Sequence, residues 1–509
     1  MNMLTKLKPI SGISFGYSDG KNEARQPNFE SLFYDGSGYY RTLRNDPLKY
    51  LVVGRKGTGK TILVRYFMKK MQEEKNTFSK FIVAGDFTSE KLKNFDYVSI
   101  REEEREIFWR YLILSELTSM VVENEKGILS RKWVSKLKEL DKNLAYKLEE
   151  MVRENTANTQ VKGSLSEHGA SISAGVDGGE KSTAKLVPAS YFSQTDELMK
   201  TLLQVMKRVR SRYFLFFDDL DEIKLSSLQK VDGENNVTVL AKLLNDFVSA
   251  LSYVNDKLLD INSKSRVIST LRKDVADQMQ FYGSNINKVI TDNGINITWF
   301  SPMIKDTPQN TPLGKLVLHK IRVSIDSYHD VDDKELFDMV FHKGTKANAN
   351  PFRFIVNRGF GRPRDVIQYL NSIKEKFPNS TSITYRMAEQ VQSEYCSWFY
   401  SELQNEISIL ERHKSISSTI DAIKKNGKVT FNYETLSASI DDNSDEVLNR
   451  DGLKKDLKSL FTLGAIGNHQ KKKGLKKPII EYSYRDGTDN PDFSKNFIVH
   501  PALKIYLSL

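Results

Sequence analysis

Several stretches of this chain are apolar at consecutive positions, the pattern of strands covered on both faces. They are Leu51-Val52-Val53, residues 80–85 around Phe81-Ile82-Val83, Tyr213 to Phe217, and Val267-Ile268 within Ser265–Leu271. Ile295–Phe300 alternates as a further strand. Between them, apolar residues recur at helical spacing. Ile62, Leu63, Tyr66, Phe67 and Met71 predict a helix over 60–75, and Ile107, Phe108, Tyr111, Leu112, Leu114, Leu117 and Met120 a long one over 101–123. A charged amphipathic run continues to about residue 155, and helices are expected at 193–211 and 236–254. Strands alternating with helices predict an α/β fold with a parallel sheet.

The pattern changes along the chain. Residues 157–188 are rich in Gly, Ser, Thr and Ala and read as an insertion. From 312 onward the periodicity is helical, with Pro363 in the first turn of a helix that carries Val366, Ile367, Leu370 and Ile373, and another helix at 384–410. After 412, helical pieces near 415–425, 432–440 and 446–463 precede strands at Ile479–Tyr484 and around Phe497. Short helices followed by a two-stranded hairpin are the pattern of a winged helix. The expected organisation is an approach segment 1–48, a core 49–305 interrupted at 157–188, a helical lid 306–411 and a winged-helix-like domain 412–509.

At 509 residues the chain is long enough for two to four domains. No stretch has the apolar length of a membrane span and the N-terminus lacks a signal-peptide pattern, so a cytoplasmic protein without a membrane partner is expected. A single cysteine, Cys396, excludes a disulfide framework and a cysteine zinc site. The formal charge of +11 favours a polyanionic partner. From 412 onward, 17 Lys and Arg face 12 Asp and Glu, and the excess is concentrated in Lys471, Lys472, Lys473, Lys476 and Lys477 at the expected wing tip. Such a cluster contacts duplex phosphates by counterion release, with little sequence reading.

The chemistry sits after the first strand. Gly54-Arg-Lys-Gly57-Thr58-Gly59-Lys60-Thr61 has the full G-x-x-x-x-G-K-[ST] spacing between a strand and a helix. Glycines at 54, 57 and 59 let backbone N–H groups, with Thr58 and Ile62, cradle phosphates. Lys60 reaches the β- and γ-phosphates, Thr61 offers a hydroxyl to Mg²⁺, and the helix dipole adds positive potential. The strand ending Phe217-Asp218-Asp219 is the second half of the signature: Asp218 would hold Mg²⁺ and Asp219 would polarise the attacking water, with Asp221 and Glu222 in reserve. Arg272 falls at the carboxyl end of another strand, where ligands of such sheets bind. Arg364 opens a helix against its dipole, a conflict that points to a role at phosphates. Phe15 or Tyr17 is placed to stack on a base. No H-E-x-x-H or G-x-S-x-G motif points to a protease or hydrolase site.

These motifs together resemble bacterial P-loop ATPases of the STAND and ORC/Cdc6-like AAA+ group. The likeness rests on residues 54–61, Leu215–Glu222, Leu271-Arg-Lys-Asp274, Gly361-Arg-Pro-Arg-Asp365, Leu463–Gly467 and His500-Pro-Ala-Leu503. It implies a sheet of order 5-1-4-3-2, a helical lid and a winged helix, with Arg272 at the sensor 1 edge and Arg364 at the sensor 2 position. It implies ATP and Mg²⁺ as cofactors, a homo-oligomer, double-stranded DNA as a partner, and an effector protein encoded nearby, since many such proteins lie in anti-phage defence loci. The acid pair here is Asp218-Asp219 where the family has Asp-Glu, which implies slow hydrolysis. Three functions follow: an ATP-dependent switch, a DNA-loading ATPase, and a non-catalytic ATP-binding subunit.

Overall fold

The strand Tyr213–Phe217 owes its place to its side chains: every residue from Tyr213 to Asp218 is buried. In the computed structural model it is β3 (Arg212–Asp218) of a five-stranded sheet with β1 (Leu51–Gly54), β2 (Thr77–Val83), β4 (Arg266–Arg272) and β5 (Gly294–Ile297). The order is β2-β3-β4-β1-β5, as the resemblance implies, and β2·β3, β3·β4 and β1·β4 pair in parallel. The structure describes residues 7–83, 102–125, 131–146, 189–220, 236–280, 285–301, 307–342, 350–408, 410, 412–440, 450–471, 474, 477–488 and 490–509. The expected insertion at 157–188 lies outside them, as do Asp221, Glu222, Lys472, Lys473 and Lys476.

These residues form two compact units, one of 40–55 and 63–296, the other of 1–39, 56–62 and 297–509. The first unit holds the parallel sheet. β2 begins at Thr77, three residues before the apolar pattern suggests, because it is an edge strand whose Ser79 and Lys80 are half-exposed. Helices Glu102–Asn124 and Asn236–Asp260 pack on each other, with Trp109 edge-on to Phe247 at 5.3 Å. Asn255, buried in mid-helix, accepts from Val267 N–H at 3.0 Å and donates to Val267 C=O at 2.9 Å. One side-chain amide thus satisfies both backbone groups of a β4 residue. Arg266 enters the same core, bonded to Asp46 O and Lys49 O, and burial pushes its guanidinium down to about 10.

The second unit joins distant segments. Ile10, Ile13 and Phe15 share one apolar core with helices Pro312–Ser324, Pro363–Lys376 and Tyr385–Ile407. Glu23 forms a buried pair with Lys320 at 2.6 Å and also accepts from Tyr17 N–H. Gly16 has φ of +83°, and a Cβ there would lie 2.5 Å from the Glu23 carboxylate, so only glycine fits. After 412 come helices His413–Asn426, Tyr433–Ala438 and Arg450–Leu463, with β6 (Thr430–Phe431), β7 (Ile466–Gln470), β8 (Ile479–Glu481) and β9 (Asn496–Val499). Their order is β6-β9-β7-β8, all antiparallel, so the two strands expected to form a hairpin, β8 and β9, do not pair with each other but flank β7, a strand that the apolar pattern leaves out.

Candidate functional site

Residues 56–61 are shaped from outside. The carbonyl of Lys56 accepts from Arg362 Nη1 at 2.7 Å, that of Gly57 from the Arg364 N–H at 3.4 Å, and that of Thr58 from Trp299 Nε1 at 2.8 Å. In a planar trans peptide the carbonyl and the following N–H point opposite ways. Holding three successive carbonyls toward Arg362, Arg364 and Trp299 therefore aims the N–H groups of Gly57, Thr58 and Gly59 away from those three partners. Gly57 and Gly59 have φ of +80° and +95°, conformations that glycine adopts without strain. Gly57 is also crowded: a Cβ there would lie 2.9 Å from Arg364 Cβ. The helix Lys60–Gln72 starts immediately, with Lys60, Thr61 and Ile62 in its first turn.

The turn that shapes this loop is a buried ionic network. Arg362, 2% exposed, donates through Nε to both Asp365 oxygens at 3.0 Å and through Nη1 to Glu406 Oε1 at 2.9 Å. Asp365 also accepts from the Phe360 N–H at 2.7 Å. Burial alone would lower the Arg362 pKa, but the Asp365 and Glu406 carboxylates outweigh it and hold it above the ordinary value. The sequence pattern singles out Arg364 and misses Arg362. Arg364 is held by Glu402 at 2.7 Å and by Ser18 O at 3.2 Å, and Lys56 approaches the same Glu402 carboxylate at 3.9 Å. Gly20 touches the start of the P-loop helix, since a Cβ there would lie 3.3 Å from Thr61 Cβ. Phe15, expected as a stacking candidate, is instead a core residue; Tyr17 is half-exposed.

In the sheet unit, Gly54, Asp218 and Arg272 meet at the carboxyl edge. Gly54 is the register partner of Arg272. Asp218, fully buried, accepts from Thr270 Oγ1 at 2.6 Å. Thr270 was not expected from the sequence; its signal is the polar pair Ser269-Thr270 inside an otherwise buried strand. Asp219 has φ of +56°, a conformation rare outside glycine, so the backbone turns sharply just after the strand. Arg272 folds onto Asp274 through two bonds of 3.1 and 2.6 Å.

Of the expected basic loop, Lys471 and Lys477 are exposed. They flank the connection between β7 and β8, whose pairing closes at Gln470 and Ile479. Burial pushes the Cys396 thiol up to about 11, which makes it an unreactive core residue. No group of three His, Cys, Asp or Glu among the described residues forms a metal cluster, and no helix among them is long and apolar enough to cross a membrane.

A family described as the FunZ-associated C-terminal helical domain matches residues 311–404, which hold Arg362 and Arg364. Among solved structures, the Aeropyrum pernix Orc1 protein in complex with DNA is similar over 95% of each chain, at 11% identity and a TM-score of 0.37. No curated protein matches the chain.

Proposed function

We propose that the chain is an ATP-binding and ATP-hydrolysing switch of the AAA+ P-loop type. The observation that carries this is the loop 56–59, whose Lys56, Gly57 and Thr58 carbonyls are bonded to Arg362, Arg364 and Trp299, so that the amides that follow point away from those groups, as a phosphate cradle requires. Gly54, Gly57, Thr58, Gly59 and Ile62 then cradle the phosphates, and Lys60 pairs with the outer ones. Thr61 and Asp218 are the hard oxygen donors that suit Mg²⁺, which when bound neutralises phosphate charge. Asp219 polarises the attacking water. Arg272 and Arg364 exchange Asp274 and Glu402 for phosphate, and this exchange tells the rest of the chain that the nucleotide is present. Domains 49–305, 306–411 and 412–509 act as core, lid and winged helix. Assembly into a homo-oligomer completes the cycle. The protein works in the cytoplasm, licensing an effector in anti-phage defence.

Mass photometry with and without a slowly hydrolysed ATP analogue tests the switch. A nucleotide-dependent rise in mass is expected, and an unchanged mass removes the assembly step. The exposed Lys471 and Lys477 at the β7–β8 connection favour a second reading, a DNA-loading ATPase. It predicts duplex binding whose salt dependence flattens when Lys471, Lys472 and Lys473 become alanine. An unchanged slope places the DNA contact elsewhere.

A further inference from the structure

The C-terminal sheet has one face in the core and one that a solvated sheet would make polar. Phe431, Ile466, Phe497 and Val499 point to the core. Ile498 pairs with Gly467, and Ile480 pairs with His469 two residues on, so Ile498 and Ile480 share the opposite face. The Tyr482 ring lies over Gly467 on that face, since a Cβ at Gly467 would come 2.7 Å from it. This apolar face is one wall of a cleft of about 800 Å³. The facing wall comes from Phe300 and the helix Pro351–Val356.

Four cations line the cleft, Arg353, Arg358, Arg485 and Lys504, against one carboxylate, Asp486. That carboxylate is already bonded to Arg485, which also donates to Ile480 O. Arg358 is held in place by Gln392 at 2.8 Å and by the Phe354 ring at 3.3 Å, neither of which carries charge. Arg353 and Lys504 have no ion pair among the described residues. An apolar, partly aromatic wall beside Arg353 and Lys504, at a volume typical of small-ligand sites, selects for a body and a charge in one molecule. A neutral apolar ligand leaves the cations unmatched. A bare inorganic anion leaves the wall of Ile480 and Ile498 in water.

We propose that this cleft is a second ligand site, for a small organic anion with a flat apolar body and an acidic group such as a carboxylate, sulfonate or phosphate. The flat body lies along Ile480 and Ile498, and the acidic group faces Arg353 and Lys504.

The test uses the full chain and two dyes of the same shape. One is 8-anilinonaphthalene-1-sulfonate and the other is neutral N-phenyl-1-naphthylamine. The expected result is one saturable site for the sulfonate and at least tenfold weaker binding of the neutral dye. The double variant Arg353→Glu/Lys504→Glu weakens the sulfonate at least tenfold, leaves the neutral dye unchanged and melts at the wild-type temperature. Lys60→Ala binds the sulfonate as wild type does, which keeps this result separate from the fate of the ATP reading. Equal binding of the two dyes, several weak sites, or a double variant that still binds the sulfonate tightly would overturn the proposal. If the double variant melts early, Lys504→Glu alone serves, because Lys504 is exposed on a surface helix.

Discussion

The carboxyl edge of the parallel sheet and the turn at 359–365 both gather charge beside backbone, but they hold it in opposite ways. At the sheet edge Arg272 folds onto Asp274 two residues away, and Asp218 accepts from the Thr270 hydroxyl. At the turn, Arg362 is fully buried and divided among Asp365, Glu406 and the Lys56 carbonyl 306 residues away. A charge paired with a neighbour in its own turn, as Arg272 is with Asp274, can change partners when a ligand arrives. A group with three buried partners is scaffold. The contrast also separates two arginines in one turn, because Arg364, less buried, is held by Glu402 and a single carbonyl. Arg362 is bonded to the loop itself, and Arg364, beside it, is the arginine to which the proposed switch gives the sensing role.

The largest effect expected from this contrast is on stability. Arg362→Met leaves the Asp365 and Glu406 carboxylates buried without their cation, which costs about 3–5 kcal/mol in denaturant melts. Arg364→Ala stays within about 1 kcal/mol. Equal losses would erase the distinction between scaffold and responder. Next come the two loop glycines. Gly59→Ala carries only left-handed backbone strain, about 1–2 kcal/mol, while Gly57→Ala adds a close contact with Arg364 and should melt lower. If Gly59→Ala proves the worse of the two, the packing of the 362–364 turn on the loop is not what shapes it.

At the sheet edge, Thr270→Val removes the hydroxyl that holds Asp218 and should lower the rate of ATP hydrolysis about tenfold, or about 1.4 kcal/mol, with ATP affinity kept. Thr270→Ser restores it. A rate that the valine leaves unmoved would make this hydrogen bond structural only. The smallest expected effect is from Glu402→Gln. It removes the charge that competes with phosphate for Arg364 and Lys56, and ATP should bind a few-fold tighter, about 0.5–1 kcal/mol. Weaker binding would show that Glu402 positions Arg364 for the nucleotide rather than withholding it.

Much of this was legible in the sequence where chemistry follows an unbroken apolar run. β1 leads into the glycine loop and β3 ends in Asp218, so strand, register end and site coincide. Legibility failed where burial is decided by distant segments. Nothing local distinguishes Arg362 from Arg364, two residues apart; only Lys56 and Glu406, brought in by folding, do. Thr270 and Asn255 look like surface residues by type, yet each is buried to complete a bond of Asp218 or of the β4 backbone. Phe15, beside a turn, suits base stacking and core packing equally by sequence, but Ile10, Ile13 and Phe15 fill a core made by helices 300 residues on. Edge strand β2 was displaced for the converse reason: its half-exposed face admits Ser79 and Lys80, which the search for apolar runs discounts.

The central claim is that the loop 54–61 holds a nucleoside triphosphate. Isothermal titration of ATP with Mg²⁺ into the wild-type chain and into Lys60→Ala tests it most directly. The account predicts one site per chain in the wild type and a loss of about 100-fold in the variant, near the 3 kcal/mol of a strong charged hydrogen bond, with both proteins melting alike. Equal affinity in the two proteins, or no heat of binding in the folded wild type, would contradict it.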